Sequence, residues 1–161
     1  MAIIIRCLHY FCAAQYLHSS KSKSSLVKLH LDTTSGSNAI TGHGNGFVAV
    51  NGMKIGSPLI VLPDKLINPW QLAPRSTSAP LSALSLCAAD FADLLALKPE
   101  LVVFGSGALF RFPDQQLMKS FAEARIGFEV MDTPAACRTY TVLMSEGRRI
   151  AAALLIGYAD S

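Results

Sequence analysis

The chain predicts an α/β fold in which strands come first and helices then alternate with strands, so that a βαβα unit is appended to a smaller antiparallel β part. Three observations carry this. From Leu26 to about residue 72, short apolar stretches are separated by glycine, asparagine and proline, as short strands joined by turns are. Two continuous apolar runs, LVVF at 101–104 and IAAALLI at 150–156, follow, as expected of strands covered on both faces. Between them, apolar residues recur at three- and four-residue spacing, the period of a helix with one buried face.

In chain order, VKLHLD (27–32) alternates apolar and polar residues like a half-buried strand. FVAV followed by Asn51-Gly52 is a hairpin signal, since that pair accepts the positive φ angles of a type I′ turn. GHGNG (42–46) lacks the Lys-Ser/Thr ending of a phosphate loop and no helix follows it, so it reads as a β-turn. LIVLP and LINPWQL are further short strands, and PRSTSAP (74–80) is a surface loop. Ser85 is expected to cap a helix whose Cys87, Phe91, Leu94 and Leu95 share a face, ending at Lys98-Pro99. Pro113 and Asp114 open a second helix with Leu117, Met118 and Phe121 on one side, closed by Gly127. After the strand FEVMD, Thr133 caps a third helix at Pro134, which Gly147 closes.

Composition excludes several function classes. A net charge of +3 with scattered Lys and Arg is no nucleic-acid footprint. Although 51% of residues are hydrophobic, no uninterrupted apolar run approaches the roughly 18 residues of a membrane-spanning helix. Cys7, Cys12, Cys87 and Cys137 form no CxxC pair and have no histidine at ligand spacing, so neither a disulfide scaffold nor a metal site is expected, and no cofactor. These thiols point to a reducing, cytoplasmic setting. Residues 1–26 read as a tail, disordered or an upstream extension, and residues 27–161 as a single domain. Residues 1–25 contain no acid and much serine, and Arg6 falls inside their apolar stretch. That is a poor secretory signal and a weak organellar presequence, so organellar targeting stands as the alternative.

The run TPAACRTYTVLMSEGRR (133–149) resembles the signature of a small α/β family of unknown biochemical function, the Mth-type domain. Its relatives include the third assembly factor of mitochondrial respiratory complex I and an adipogenesis-associated protein. The resemblance spans residues 27–156 and implies a three-layer arrangement around a mixed central sheet flanked by helices. It also implies a non-catalytic interaction or assembly module with a protein partner. The family commonly has asparagine after the tyrosine, where this chain has Thr141.

The chemistry candidates cluster at strand ends. Gly105, Ser106 and Gly107 follow LVVF, and Asp132-Thr133 follows FEVM. If these strands are parallel neighbours, both loops lie at the carboxyl edge of the sheet, where open α/β sheets bind ligands. Glycines admit close backbone approach, and a helix start offers free N–H groups to an anion; the same residues serve equally as a plain turn and cap. At about 100° per residue, Ala136, Tyr140, Leu143 and Met144 share one helix face, and Ala135, Arg138 and Val142 the other. Arg138 therefore grips an anionic ligand or pairs structurally, with Thr139 and Tyr140 beside it as further ligand or partner candidates. Cys137 reads as packing filler. Three functions remain open: an interaction module, a small enzyme or anion-binding protein at this edge, and a structural homo-oligomer.

Overall fold

Asn51 and Gly52 take φ of 51° and 83°, and the turn they make joins two strands of a three-stranded antiparallel sheet. That sheet is β1 (Ile40–Gly44), β2 (Phe47–Val50) and β3 (Met53–Ile55), in that order. The computed structural model describes residues 36–72 and 85–156; VKLHLD, PRSTSAP and the expected boundary at residue 26 lie outside them. Most of GHGNG belongs to β1, and only Asn45-Gly46 forms the turn to β2.

A second sheet holds β4 (Leu59–Val61), β5 (Leu66–Ile67), β6 (Leu101–Gly105), β7 (Gly127–Met131) and β8 (Ile150–Leu154). Its order is β5-β4-β8-β6-β7. β6 runs parallel to β7 and β8, whereas β4 is antiparallel to β8 and β5, so the sheet is mixed. The expected strand LINPWQL shrinks to β5, because Pro69 has no N–H to continue a ladder.

Alternate residues of the central strands feed two cores. Ile60, Val102, Phe104, Ala151 and Ala153 face one side and Leu59, Val61, Val103, Ala152 and Leu154 the other. The first side is covered by α1 (Ala92–Leu97) with the 3-10 turn Ala88–Phe91 before it, and by α2 (Gln115–Glu123). The second is covered by α3 (Thr133–Ser145) and the three-stranded sheet. This makes the expected three layers. On the first side Phe91 meets Trp70, Phe104, Phe121 and Phe128 edge to face at 4.9, 5.8, 5.5 and 5.9 Å, pairs worth about 0.5–1.5 kcal/mol each beyond burial.

Two helix boundaries differ from expectation. The helix expected to start at Ser85 has its cap at Cys87, which is exposed and whose N–H donates to Asp90 Oδ2 at 2.8 Å. An acid three residues into the turn thus does the work expected of a serine before it. Helix α2 opens as expected, with Asp114 Oδ1 accepting from Gln116 N at 2.7 Å, but it ends before Arg125, which takes a φ of 58°, and Gly127 instead begins β7.

A small residue at the centre of β8 keeps α3 close to the sheet. Ala152 is fully buried between Val61 and Val103 on neighbouring strands and shares its core with Ala136 and Cys137 of α3. We expect Ala152→Leu to overpack this layer and lower the unfolding free energy by about 1–3 kcal/mol, measured by urea denaturation. An unchanged midpoint would show that α3 is free to shift outward.

Candidate functional site

The ends of β6 and β7 are stitched together by side chains from the two turns that follow them. Ser106 N donates to Met131 O at 2.9 Å. Its Oγ lies 2.9 Å from Leu109 O and 3.1 Å from Met131 O and accepts from Arg111 N at 3.0 Å. Thr133 Oγ1 donates to Leu155 O at 2.7 Å and accepts from Gly107 N at 3.0 Å, while Thr133 N donates to Gly107 O at 2.8 Å. Leu155 N returns to Gly105 O at 2.9 Å. The hydroxyl and the backbone N–H of both Ser106 and Thr133 therefore have partners within the chain.

The glycines follow from that closeness. A Cβ on Gly105 would lie 2.9 Å from Thr133 Oγ1 and 2.9 Å from Leu154 Cδ2, and Gly107 takes a φ of 112° that side chains rarely adopt. The helix cap is Asp132, not Thr133. Asp132 is extended and its Oδ1 accepts from Ala135 N at 2.7 Å, which leaves Thr133 as the first helical residue and Pro134 as the second. Two side chains compatible with capping stand in tandem, and the carboxylate takes the helix while the hydroxyl crosses to the sheet.

Above this stitch lies a cleft of about 230 Å³, lined on one side by His43, Asn45 and Phe47 of the β1–β2 hairpin and on the other by Gly107, Thr133 and Pro134. The structure so brings Gly107 and Thr133 together as the sequence suggested. Arg138, Thr139 and Tyr140 do not line it. Arg138 is exposed and Thr139 half-buried. Tyr140 is fully buried, and its hydroxyl donates to Asn38 O at 2.9 Å, tying α3 to the residue just before the three-stranded sheet. Burial pushes the Tyr140 phenol up, and Asp64 adds to the effect. Thr141, in the family's asparagine position, spends its hydroxyl on Cys137 O at 2.9 Å, within its own helix.

Chemically, the edge offers a hairpin imidazole and amide facing Gly107 and Thr133, whose backbone donors are committed. Ser106 is 5% exposed and bonded on all sides, which is unlike a nucleophile presented to substrate. Burial pushes the Cys137 thiol up to about 12, against lowering contributions from Arg138 and its own backbone. Among the described residues no group of three or more His, Cys, Asp or Glu could hold a metal ion. Two features escaped the sequence reading. His43 and Phe47 join Gly107 across the fold with no local signal. Leu109, Phe110 and Phe112 are exposed by 59, 52 and 57%, and their signal was an apolar cluster with neither helical nor strand period.

Residues 40–155 match a family described as a protein of unknown function, DUF498/DUF598. The chain is 35% identical over 111 residues to the Xenopus tropicalis protein named NADH dehydrogenase [ubiquinone] 1 alpha subcomplex assembly factor 3, covering 69% of this chain and 56% of that one. It thus spans little more than half the length of the curated relatives it matches. Among solved structures, a Xanthomonas campestris protein determined by NMR superposes with a TM-score of 0.64 at 31% identity, covering 85% of this chain and 96% of its own. A Bordetella pertussis Mth938-like domain, at 24% identity and a TM-score of 0.61, shares the fold over 81% of this chain and 92% of its own.

Two outcomes test this geometry. Thr133→Val strands Gly107 N and Leu155 O and should cost about 1–3 kcal/mol of stability, whereas Thr133→Ser should retain most of it; a loss below about 0.5 kcal/mol on urea unfolding would rule out the stitch. Cys137 should resist alkylation at neutral pH in the native protein while exposed Cys87 reacts, read by site-resolved mass spectrometry. Because the folded thiol holds its proton above the ordinary 9.0, its contribution to stability is complete below that pH and is lost as pH rises toward about 12.

Proposed function

The chain belongs to the DUF498/DUF598 family of proteins of unknown function, and on that premise we propose that it is a non-catalytic protein-binding module of the assembly-factor kind. One observation carries this reading. Leu109, Phe110 and Phe112 stand exposed in the loop after β6, the two phenyl rings edge to face at 4.8 Å. Ser106 anchors that loop from below through Leu109 O and Arg111 N, so the apolar side chains are held out by a fixed base. Clustered exposed apolar residues of this size mark interaction surfaces, and aromatic anchors dominate binding energy at such surfaces.

The relatives' name supports a partner among the polypeptides of an NADH dehydrogenase or the factors that build it. A role of that kind favours the organellar alternative for the amino-terminal residues over the cytoplasmic one. The internal satisfaction of Ser106 and Thr133 supports binding over catalysis at the strand ends.

A photo-reactive residue in place of Phe110, in the full chain expressed in its native cell, should crosslink to such a polypeptide, identified by mass spectrometry. Leu109→Ser with Phe112→Ser should then abolish the crosslink while leaving the thermal midpoint nearly unchanged. Crosslinks to no polypeptide, or crosslinks that survive the double substitution, would defeat the reading.

A further inference from the structure

We propose that the outer edge of β7 is a strand-acceptor site, taking an extended segment of a partner polypeptide that places a basic residue opposite Glu129. The proposal rests on the protein-binding reading and deepens it. Its first support is the hydrogen-bond phase of β7. Gly127 N donates to Glu100 O at 3.1 Å and Met131 O accepts from Ser106 N at 2.9 Å, so Gly127, Glu129 and Met131 turn their backbone groups toward β6. In a parallel ladder the residues between them turn both groups the other way. Phe128 and Val130 therefore present two N–H and two C=O groups along the open side, where β7, last in the sheet order, has no neighbouring strand among the described residues.

The second support is how little blunts this edge, where the one charged side chain is Glu129. Proteins blunt sheet edges with short strands, bulges, proline or charged side chains, lysine above all. Each other edge described here has one of these. β5 is two residues long and Pro69 follows it, β1 breaks register between Ile40 and Gly42, and β3 carries Lys54. β7 pairs five residues with β6 in unbroken register and contains neither lysine nor proline.

Charge decides the occupant. A second copy pairing antiparallel so as to use Phe128 and Val130 of both strands centres on Glu129 and sets the two carboxylates directly opposite, which disfavours the pair. A different polypeptide with Lys or Arg at that position gains the opposite-charge contact instead. Phe128 and Val130 are half-buried and packed against the first core, so residues flanking the partner's basic side chain are apolar. The edge also continues into the exposed loop, because Ser106 Oγ lies within hydrogen-bond distance of both Met131 O, at the end of β7, and Leu109 O.

The probe is a capped Thr-Val-Lys-Val-Thr peptide added to the isotopically labelled full chain. We expect the Phe128 and Val130 amides to gain exchange protection on binding, and a Glu-for-Lys peptide to bind about tenfold more weakly. Methylating the nitrogens of both peptide valines should abolish binding, and Glu129→Lys should reverse the preference between peptides. Equal affinity for both peptides, no protection at the two amides, protection of those amides already present in the free chain, or concentration-dependent self-association that protects them would each overturn the proposal. The peptide makes no demand on Leu109 or Phe112, so its failure leaves the loop reading standing. Peptide binding without crosslinking at Phe110 would separate the two in the other direction.

Discussion

The hydroxyl of Thr133 is the point at which three elements of this fold meet. By donating to Leu155 O and accepting from Gly107 N, it joins the end of β8 to the turn after β6 from the first residue of α3. The surrounding choices follow from that junction. Gly105 has to lack a side chain because Thr133 approaches its Cα closely, Asp132 has to cap the helix because Thr133 is committed elsewhere, and Ser106 secures the neighbouring carbonyl of Met131. An edge that binds ligands in many α/β proteins is here closed by its own polar groups, with the shallow cleft to the β1–β2 hairpin left above it.

That closure separates rigidity from recognition. The strand ends hold the loop carrying Leu109, Phe110 and Phe112 in place, and the recognition proposed above falls to its exposed side chains and to the adjoining edge of β7. Such a division suits a binding module, because a fixed base lowers the entropy lost when a partner settles on the apolar side chains. The two cysteines among the described residues differ in character: Cys137 is buried on the inner side of α3, whereas Cys87 is exposed at the start of the 3-10 turn.

Local rules made much of the fold legible. Asn51-Gly52 specified its hairpin, LVVF and the alanines of β8 announced strands buried on both faces, and Gly147, with a φ of 75°, closed α3 as expected. The helical phase of α3 placed Ala136 and Tyr140 inward and Arg138 and Val142 outward correctly. It could not say that Arg138 lies away from the cleft, since phase fixes which side of a helix meets the core and not where a strand-end turn stops. Competing caps were a second blind spot: Asp132 and Thr133 can each serve, and the tertiary hydrogen bonds of Thr133 leave the helix start to Asp132. Residues such as His43 and Gly107, distant in sequence, line one cleft because α3 and the small sheet cover the same face of the large one.

The position of β8 has a consequence for how the sheet comes into being. It is the last strand in sequence among the described residues, yet it lies between β4 and β6. Until it arrives, the large sheet is two fragments, β5 with β4 and β6 with β7, each with an apolar row awaiting a neighbour. Contacts this distant in sequence form slowly, and a ribosome supplies the joining strand after everything it joins. During synthesis the nascent chain thus carries two incomplete sheets with open apolar edges, the condition under which chaperones are recruited and strands mispair.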